Sequence, residues 1–386
     1  MLKYLKNFVR GSEALHLMIS RAKAEHDADK AKKAYYHVTD DDDVTVAAYE
    51  LFISAIVPKF LKVPAKDAEI FKRIWASYNK ALDIAVANQA NEASYLAGGW
   101  QTMLLNVRER VLKEDFEFFF ATLGARIYNS GKLNFNDRFM PLSMKGEVAK
   151  TLSILKGIRN IYPQAEPTQG YTSYFYPHFH LNGTPINPLD LYGLETILFL
   201  AKHYSIAASH VVAEIGAGDG AVCRDIVGKF GCKYVIFDLP EVLFRSQLFL
   251  SKHYAGSKRV GGLVEYLEHG RSLSKAFEEF DILCLPAWEA EHVDVGVRTW
   301  INTHSLGEMP VEVARRYCRI IAETGEGFFS VNEDHGVWAG HYQHHSSKEY
   351  LDIVAGRMEL QNAGYVFSST FNRLKPYYVR HFFTKK

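Results

Sequence analysis

The chain changes its hydrophobic rhythm about halfway along. Over residues 47–60 apolar side chains recur at helical spacing, with Tyr49, Phe52, Ile53, Ile56 and Val57 on one face. The same stripe continues over 67–87, through Ile70, Ile74, Tyr78 and Leu82, and over 103–126, through Val107, Val111, Phe119 and Leu123. Beyond residue 190 the pattern becomes an alternation. Short apolar runs at 211–215, 233–237, 280–285, 295–301 and 327–332 have strand length, and helical stretches separate them at 191–205, 221–229, 242–254 and 311–322. A last helix is expected over 348–363. Two further runs, 365–371 and 377–384, flank the turn Asn372-Arg373-Leu374-Lys375-Pro376 and predict an antiparallel hairpin. Strands alternating with helices call for an α/β sheet. The pattern predicts seven strands ending in an antiparallel hairpin, preceded by a helical domain.

Between the halves the composition shifts. Pro163, Pro167, Pro177, Pro185 and Pro188 exclude a long helix over 161–190, and aromatic residues crowd the stretch from Tyr171 to Phe179. This reads as an ordered crossover. The domains are therefore expected at 1–160 (helical), 161–190 (crossover) and 191–386 (α/β). His178 and His180 alternate along the crossover and lack a nearby third ligand, so they read as polar pocket walls or surface residues. Asp40 to Asp43 reads as a solvated loop.

The chemistry concentrates in VVAEIGAGDGAVCRDIVGKFGCKYVIFDLPEV, residues 211–242. Gly216, Gly218 and Gly220 follow the strand at alternate positions, where absent Cβ atoms let the backbone approach a ligand. Asp238 ends the next strand, where an acid holds the hydroxyls of a ribose. This is a βαβ nucleoside site. The spacing is G-x-G-x-G rather than G-x-G-x-x-G, and Glu214 stands two residues before the first glycine. A carboxylate there repels a pyrophosphate and favours a ligand bearing an ammonium and a sulfonium.

Composition narrows the field. A net charge of +1 without a basic, aromatic-rich stripe argues against a nucleic-acid partner. Cys223, Cys232, Cys284 and Cys318 show no C-x-x-C spacing and read as reduced, buried thiols of a cytoplasmic protein. The first helix is interrupted by Lys6, Arg10, Glu13 and His16, so it reads as amphipathic, suited to packing or a homodimer, and no integral membrane segment is expected.

The motifs EIGAGDG, YVIFDLPEV, LPAW and INTHSLGEMP, in that order, resemble the class I S-adenosylmethionine-dependent methyltransferases, and within them the sugar O-methyltransferases of bacterial polysaccharide and secondary-metabolite clusters. The resemblance covers about residues 165–386; the D-L-P turn also occurs in aromatic O-methyltransferases. It implies a Rossmann-like methyltransferase sheet, S-adenosylmethionine as cofactor and a small-molecule or glycan hydroxyl as acceptor. Glu214, Gly216, Gly218 and Gly220 would face the methionyl end of the cofactor. Asp238, with Leu239 beside it, would take the ribose, and Trp288 the adenine region. Asn302 would also touch the cofactor, and the segment from Asn302 to Glu308 would lie where the methyl meets the acceptor.

A sugar hydroxyl must lose its proton as it attacks. His304 and Glu308, four residues apart, would form a base and an orienting carboxylate if that loop enters a helical turn; the alternative is a polar helix cap. His335, His341, His344 and His345 with Glu333 and Asp334 could gather a divalent cation, but histidine-rich sets suit Mg²⁺ poorly. That cluster reads rather as a lid, and no metal is expected. Two readings from other classes stay open, a nicotinamide-dependent oxidoreductase and a non-catalytic adapter binding a partner through its helical half.

Overall fold

The computed structural model describes residues 44–46, 68–87, 152, 154–167, 179–181, 184–186, 190–333, 337–339, 342–366 and 378–386. The expected helices at 47–60 and 103–126, the Asp40–Asp43 run, the aromatic stretch up to His178, and Asp334, His335 and His341 lie outside them.

Helix α1 (Ala68–Ala87) forms where the stripe predicts it. Ile74, Tyr78 and Ala81 are buried, the i, i+4, i+7 face of a helix. Residues 44–46 depart from the helical expectation. Val-Thr-Val is β-branched throughout and forms strand β1 (Val44–Val46), which pairs antiparallel with β2 (Phe179–Leu181) of the crossover. Strand β3 (Thr184–Ile186) completes this small sheet at its edge, a place that tolerates Pro185.

The main sheet is built from β4 (Val211–Ile215), β5 (Lys233–Asp238), β6 (Val260–Gly261), β7 (Ile282–Pro286), β8 (Val297–Thr303), β9 (Gly327–Glu333), β12 (Met358–Tyr365) and β13 (Tyr378–Lys385). A separate ribbon, β10 (Val337–Ala339) with β11 (Tyr342–His344), follows β9. The order across the sheet is β12-β13-β9-β8-β4-β5-β7-β6. All neighbours are parallel except β13, which runs antiparallel to both β12 and β9. Six of the seven expected strands are present, with the two-residue β6 added at one edge; the run expected over 365–371 meets β12 only at Tyr365, and residues 367–371 with the turn 372–376 lie outside the described residues. Helices α2 (Asp190–His203), α3 (Ala221–Phe230), α4 (Pro240–His253), α5 (Leu263–Glu268), α6 (Leu273–Glu279), α7 (Val311–Thr324) and α8 (Lys348–Arg357) connect them.

The hairpin corrects one boundary. The helix expected over 348–363 stops at Arg357, and Met358–Tyr365 is strand. Met358 and Leu360 fit either period over so short a run. Pairing with β13 decides in favour of strand, with a bulge between Leu360 and Asn362.

Both faces of the sheet are covered, which is why its strands are apolar almost throughout. Ala213, Ile215, Val235, Phe237 and Trp300 belong to one core; Val212, Tyr234, Ile236 and Ile301 belong to the other, beneath Val222 and Ile226 of α3. The N-terminal half reaches this sheet through α1. Tyr78 meets Phe244 of α4 edge-to-face at 6.0 Å, and the Ser77 hydroxyl accepts from Val264 N at 3.2 Å. A narrow pocket lies between α1, the first two turns of α4 and the carboxyl end of β7, bordered by Ser77, Gln247, Pro240 and Pro286. Among the described residues no helix is long and apolar enough to cross a membrane.

Candidate functional site

In an open parallel sheet, ligands bind at the carboxyl ends of the strands where the order of connection reverses. Here β5 and β7 lie on one side of β4, and β8 and β9 on the other. The reversal falls between β4 and β8, where Ile215 is in register with Asn302. Phe237 is in register with Ile215, and Asp238 with Pro286. The glycine turn, Asp238, the Pro286 segment and the Asn302 loop therefore share one rim.

Gly216, Gly218 and Gly220 have φ of 70°, 61° and 87°, the left-handed region that disfavours every side chain. The turn is tied down by Gly216 N donating to Phe237 O at 2.9 Å and Gly220 N donating to Ala217 O at 3.0 Å. Asp238 grips it from the adjacent strand: Gly218 N donates to one carboxylate oxygen at 3.1 Å and Leu239 N to the other at 2.7 Å. Leu239 is the extended N-cap of α4, and Pro240 is its first helical residue. Burial pushes the Asp238 carboxyl up to about 6, opposed by these two N–H groups and by the Arg245 guanidinium. Arg245, on α4, is buried against the turn, its Nη2 3.6 Å from where a Gly218 Cβ would stand.

Glu214 lies behind the turn and is wholly buried. Tyr234 on β5 donates its hydroxyl to one carboxylate oxygen at 2.8 Å. The other, Oε1, has no hydrogen-bond partner among the described residues. Burial pushes this carboxyl from 4.5 up to about 8; the Tyr234 hydroxyl opposes the shift, and Asp238 and Asp219 add to it. The folded state thus holds the proton to higher pH than the unfolded chain does. Its contribution to stability is complete below about pH 4.5 and is lost as the pH climbs through about 8. Asp238 contributes in the same sense, but its share is lost by about pH 6. Denaturant melts of Glu214→Gln should therefore lack the decline that the wild-type protein shows between about pH 6 and pH 8. Parallel profiles for the two proteins would place an ionised Glu214 in the fold.

Trp288 sits in the 3-10 helix Ala287–His292 after β7. Its ring is in the hydrophobic core, and its buried Nε1 has no acceptor among the described residues. A buried N–H without an acceptor is uncommon in folded proteins. Glu289 anchors this segment, accepting from Arg271 Nε at 2.8 Å and Nη2 at 3.0 Å, the bidentate arrangement that fixes orientation as well as charge.

The Asn302 loop differs from expectation. Asn302 is fully buried, and its amide is engaged by protein: it donates to Ile215 O at 2.8 Å and to Ser305 Oγ at 2.5 Å. His304 has φ 77°, and its N–H donates to Val331 O at 2.7 Å. The turn that follows is a 3-10 helix of three residues, Leu306–Glu308, with Glu308 exposed. His304 stands outside that turn, so it and Glu308 are not successive positions on one helical face. Its left-handed backbone is a conformation that histidine visits uncommonly, and such strain gathers at functional sites.

Sequence reasoning missed Tyr234, Arg245, Ser305 and Asn332 as parts of this rim. Tyr234 and Ser305 lay within quoted motifs without being singled out; Arg245 and Asn332 are brought in by helix packing and strand pairing. The expected thiols Cys223, Cys232, Cys284 and Cys318 are free and buried. No group of three or more metal-ligating side chains is assembled among the described residues.

No protein-family model and no curated protein matches the chain. Among solved structures it is similar to the mitomycin 7-O-methyltransferase MmcR, at 12% identity and a TM-score of 0.31 over 51% of this chain and 57% of that one. It is similar to the magnesium protoporphyrin IX methyltransferase from Synechocystis PCC 6803 with bound SAM, at 8% identity and 0.37 over 61% and 97%. It is similar to the pyocyanin biosynthetic protein PhzM, at 10% identity and 0.35 over 51% and 57%. The chain spans little more than half the length of the first and third of these. By its own strand order, parallel except at β13 and crossed by helices on both faces, the chain has a Rossmann-like α/β fold with a terminal antiparallel hairpin.

Proposed function

We propose that the chain is an S-adenosylmethionine-dependent O-methyltransferase acting on a sugar hydroxyl of a polysaccharide or glycosylated metabolite. The observation that carries this reading is Asp238, partly exposed at the tip of β5 and bonded to the glycine turn of β4 through Gly218 N. An acid so held presents its remaining lone pairs to a ribose diol. Glu214 supplies the second support. A buried carboxyl with one oxygen unpartnered favours a cationic ligand once it ionises, and it disfavours the pyrophosphate of a nicotinamide cofactor.

When bound, the sulfonium supplies a methyl group with a very good leaving group. The residues of the rim have alignment and proton removal to provide. Asp238 orients the nucleoside, and the glycine turn admits it at close range. His304 would take the proton from the acceptor hydroxyl, whose oxygen would receive the methyl group that the cofactor supplies. Histidine suits this role because its ordinary pKa lies near neutrality. The helical half, whose α1 borders the rim, and the aromatic crossover would recognise the acceptor.

Calorimetry tests the cofactor assignment. S-adenosylmethionine and S-adenosylhomocysteine should bind, and Asp238→Ala should weaken both by about 1.5–3 kcal/mol through lost charge-assisted hydrogen bonds. Tighter binding of NAD, or no binding of either adenosyl ligand, would overturn the reading.

A further inference from the structure

We infer that Asn302, Ser305 and Asn332 are positioning residues that lock the His304 loop onto the glycine turn, so that a ligand seated on the turn is felt at the imidazole. This rests on the methyltransferase reading of the rim. Asn302, Asn332 and Ser330 are all fully buried at the tips of β8 and β9. Polar groups placed so deep destabilise unless every one is satisfied. Here every amide proton has an acceptor. Asn302 Nδ2 donates to Ile215 O and Ser305 Oγ, while Asn332 Nδ2 donates to Asn302 Oδ1 at 2.8 Å and to Ser330 Oγ at 2.8 Å. The carbonyl oxygens hold the loop in turn: Leu306 N donates to Asn302 Oδ1 at 3.3 Å, and Gly307 N to Asn332 Oδ1 at 3.2 Å.

Ile215 O is the carbonyl immediately before Gly216, and Ser305 also donates to it, at 3.1 Å. Ser305 presses on the turn itself, its Oγ lying 2.0 Å from where a Gly216 Cβ would stand. Displacement of Gly216 therefore displaces Ser305, whose chain neighbour is His304. The left-handed backbone of His304 is over-determined by the same brace and by its own N–H bond to Val331 O.

The test uses the full chain with S-adenosylhomocysteine as the probe and the histidine ring signals in a ¹³C–¹H NMR spectrum as the readout. His304→Gln identifies the His304 signal. In the wild-type protein, saturating probe should shift that signal. In Ser305→Ala, and again in Asn332→Ala, the probe should still bind within about tenfold of wild type, as expected for loss of one buried hydrogen-bonding group, while the His304 shift falls by at least about half. Ser305 is only partly buried, so its alanine variant keeps the question answerable if Asn332→Ala does not fold. A merely structural brace would lower the melting temperature and leave the response of His304 intact, and that result overturns the inference. So does a wild-type protein that binds the probe without any His304 response. Failure of the wild-type protein to bind the probe at all overturns the methyltransferase reading, and the inference falls with it.

Discussion

Gly216→Ala should abolish binding of S-adenosylhomocysteine and destabilise the fold by about 2–5 kcal/mol, the sum of left-handed strain and overpacking at a rigid contact. Two separate penalties meet at this residue. Its φ of 70° is costly for alanine, and the new Cβ would stand 2.0 Å from Ser305 Oγ and 2.3 Å from Ser305 Cβ. Ser305 cannot yield, because its hydroxyl is bonded to Ile215 O and Asn302. The turn must move instead, carrying Gly218 N away from Asp238. Gly256 separates the two penalties. It has φ 78°, and an added Cβ there would meet nothing within 4 Å, so Gly256→Ala should cost only the backbone strain of about 1–2 kcal/mol. Adding Ser305→Gly to Gly216→Ala should recover the steric share and leave the strain. Denaturant melts of wild type, Gly216→Ala, Ser305→Gly and the double variant, read as a double-mutant cycle with Gly256→Ala as the control, check this. Equal destabilisation at Gly216 and Gly256, with ligand binding retained, would remove the interlock between the turn and Ser305.

The second large effect concerns His304. His304→Ala should lower kcat by roughly 10²–10⁴, as loss of a general base does, while the affinity for S-adenosylhomocysteine stays near wild type. The acceptor for this assay comes from a glycan array read with labelled S-adenosylmethionine. Backbone geometry supplies a companion result. Because residue 304 sits at φ 77°, glycine fits it better than histidine does. His304→Gly should therefore be as inactive as the alanine variant, yet more stable than wild type by up to about 1 kcal/mol, since a strained side-chain-bearing residue has been relieved. Gain of stability with loss of turnover is the signature of strain kept for function. If both variants turn over at the wild-type rate, the base lies elsewhere, with exposed Glu308 the next to test.

Much of the rim was legible in the chain because its signals are local. A strand of Val-Val-Ala-Glu-Ile, glycines at alternate positions and an acid ending the next strand are chemistry carried within 28 consecutive residues, Val211 to Asp238. Local rhythm likewise identified β5, β7, β8 and β9 and the helix α1, since burial of one face or both leaves its period in the sequence. Where the period is short or ambiguous the reading failed. Met358–Tyr365 looks like the continuation of a helix until β13 pairs with it, and Val44–Val46 is a strand because the crossover lies alongside.

The sequence by itself determined the glycine turn, the two acids flanking it and the alternation that builds a parallel sheet. Tertiary structure alone decided what those residues do to one another. Register sets Asn302 beside Ile215, and pairing sets Tyr234 against Glu214. Burial then raises the Glu214 carboxyl, because a charge without water must be solvated by partners, and its Oε1 has none among the described residues. The left-handed His304 and the amide brace beneath it depend on β4, β8 and β9 lying side by side. Hydrogen bonds between residues 30 or 87 positions apart, as Asn332 to Asn302 and Asn302 to Ile215 are, leave no period for a sequence to display.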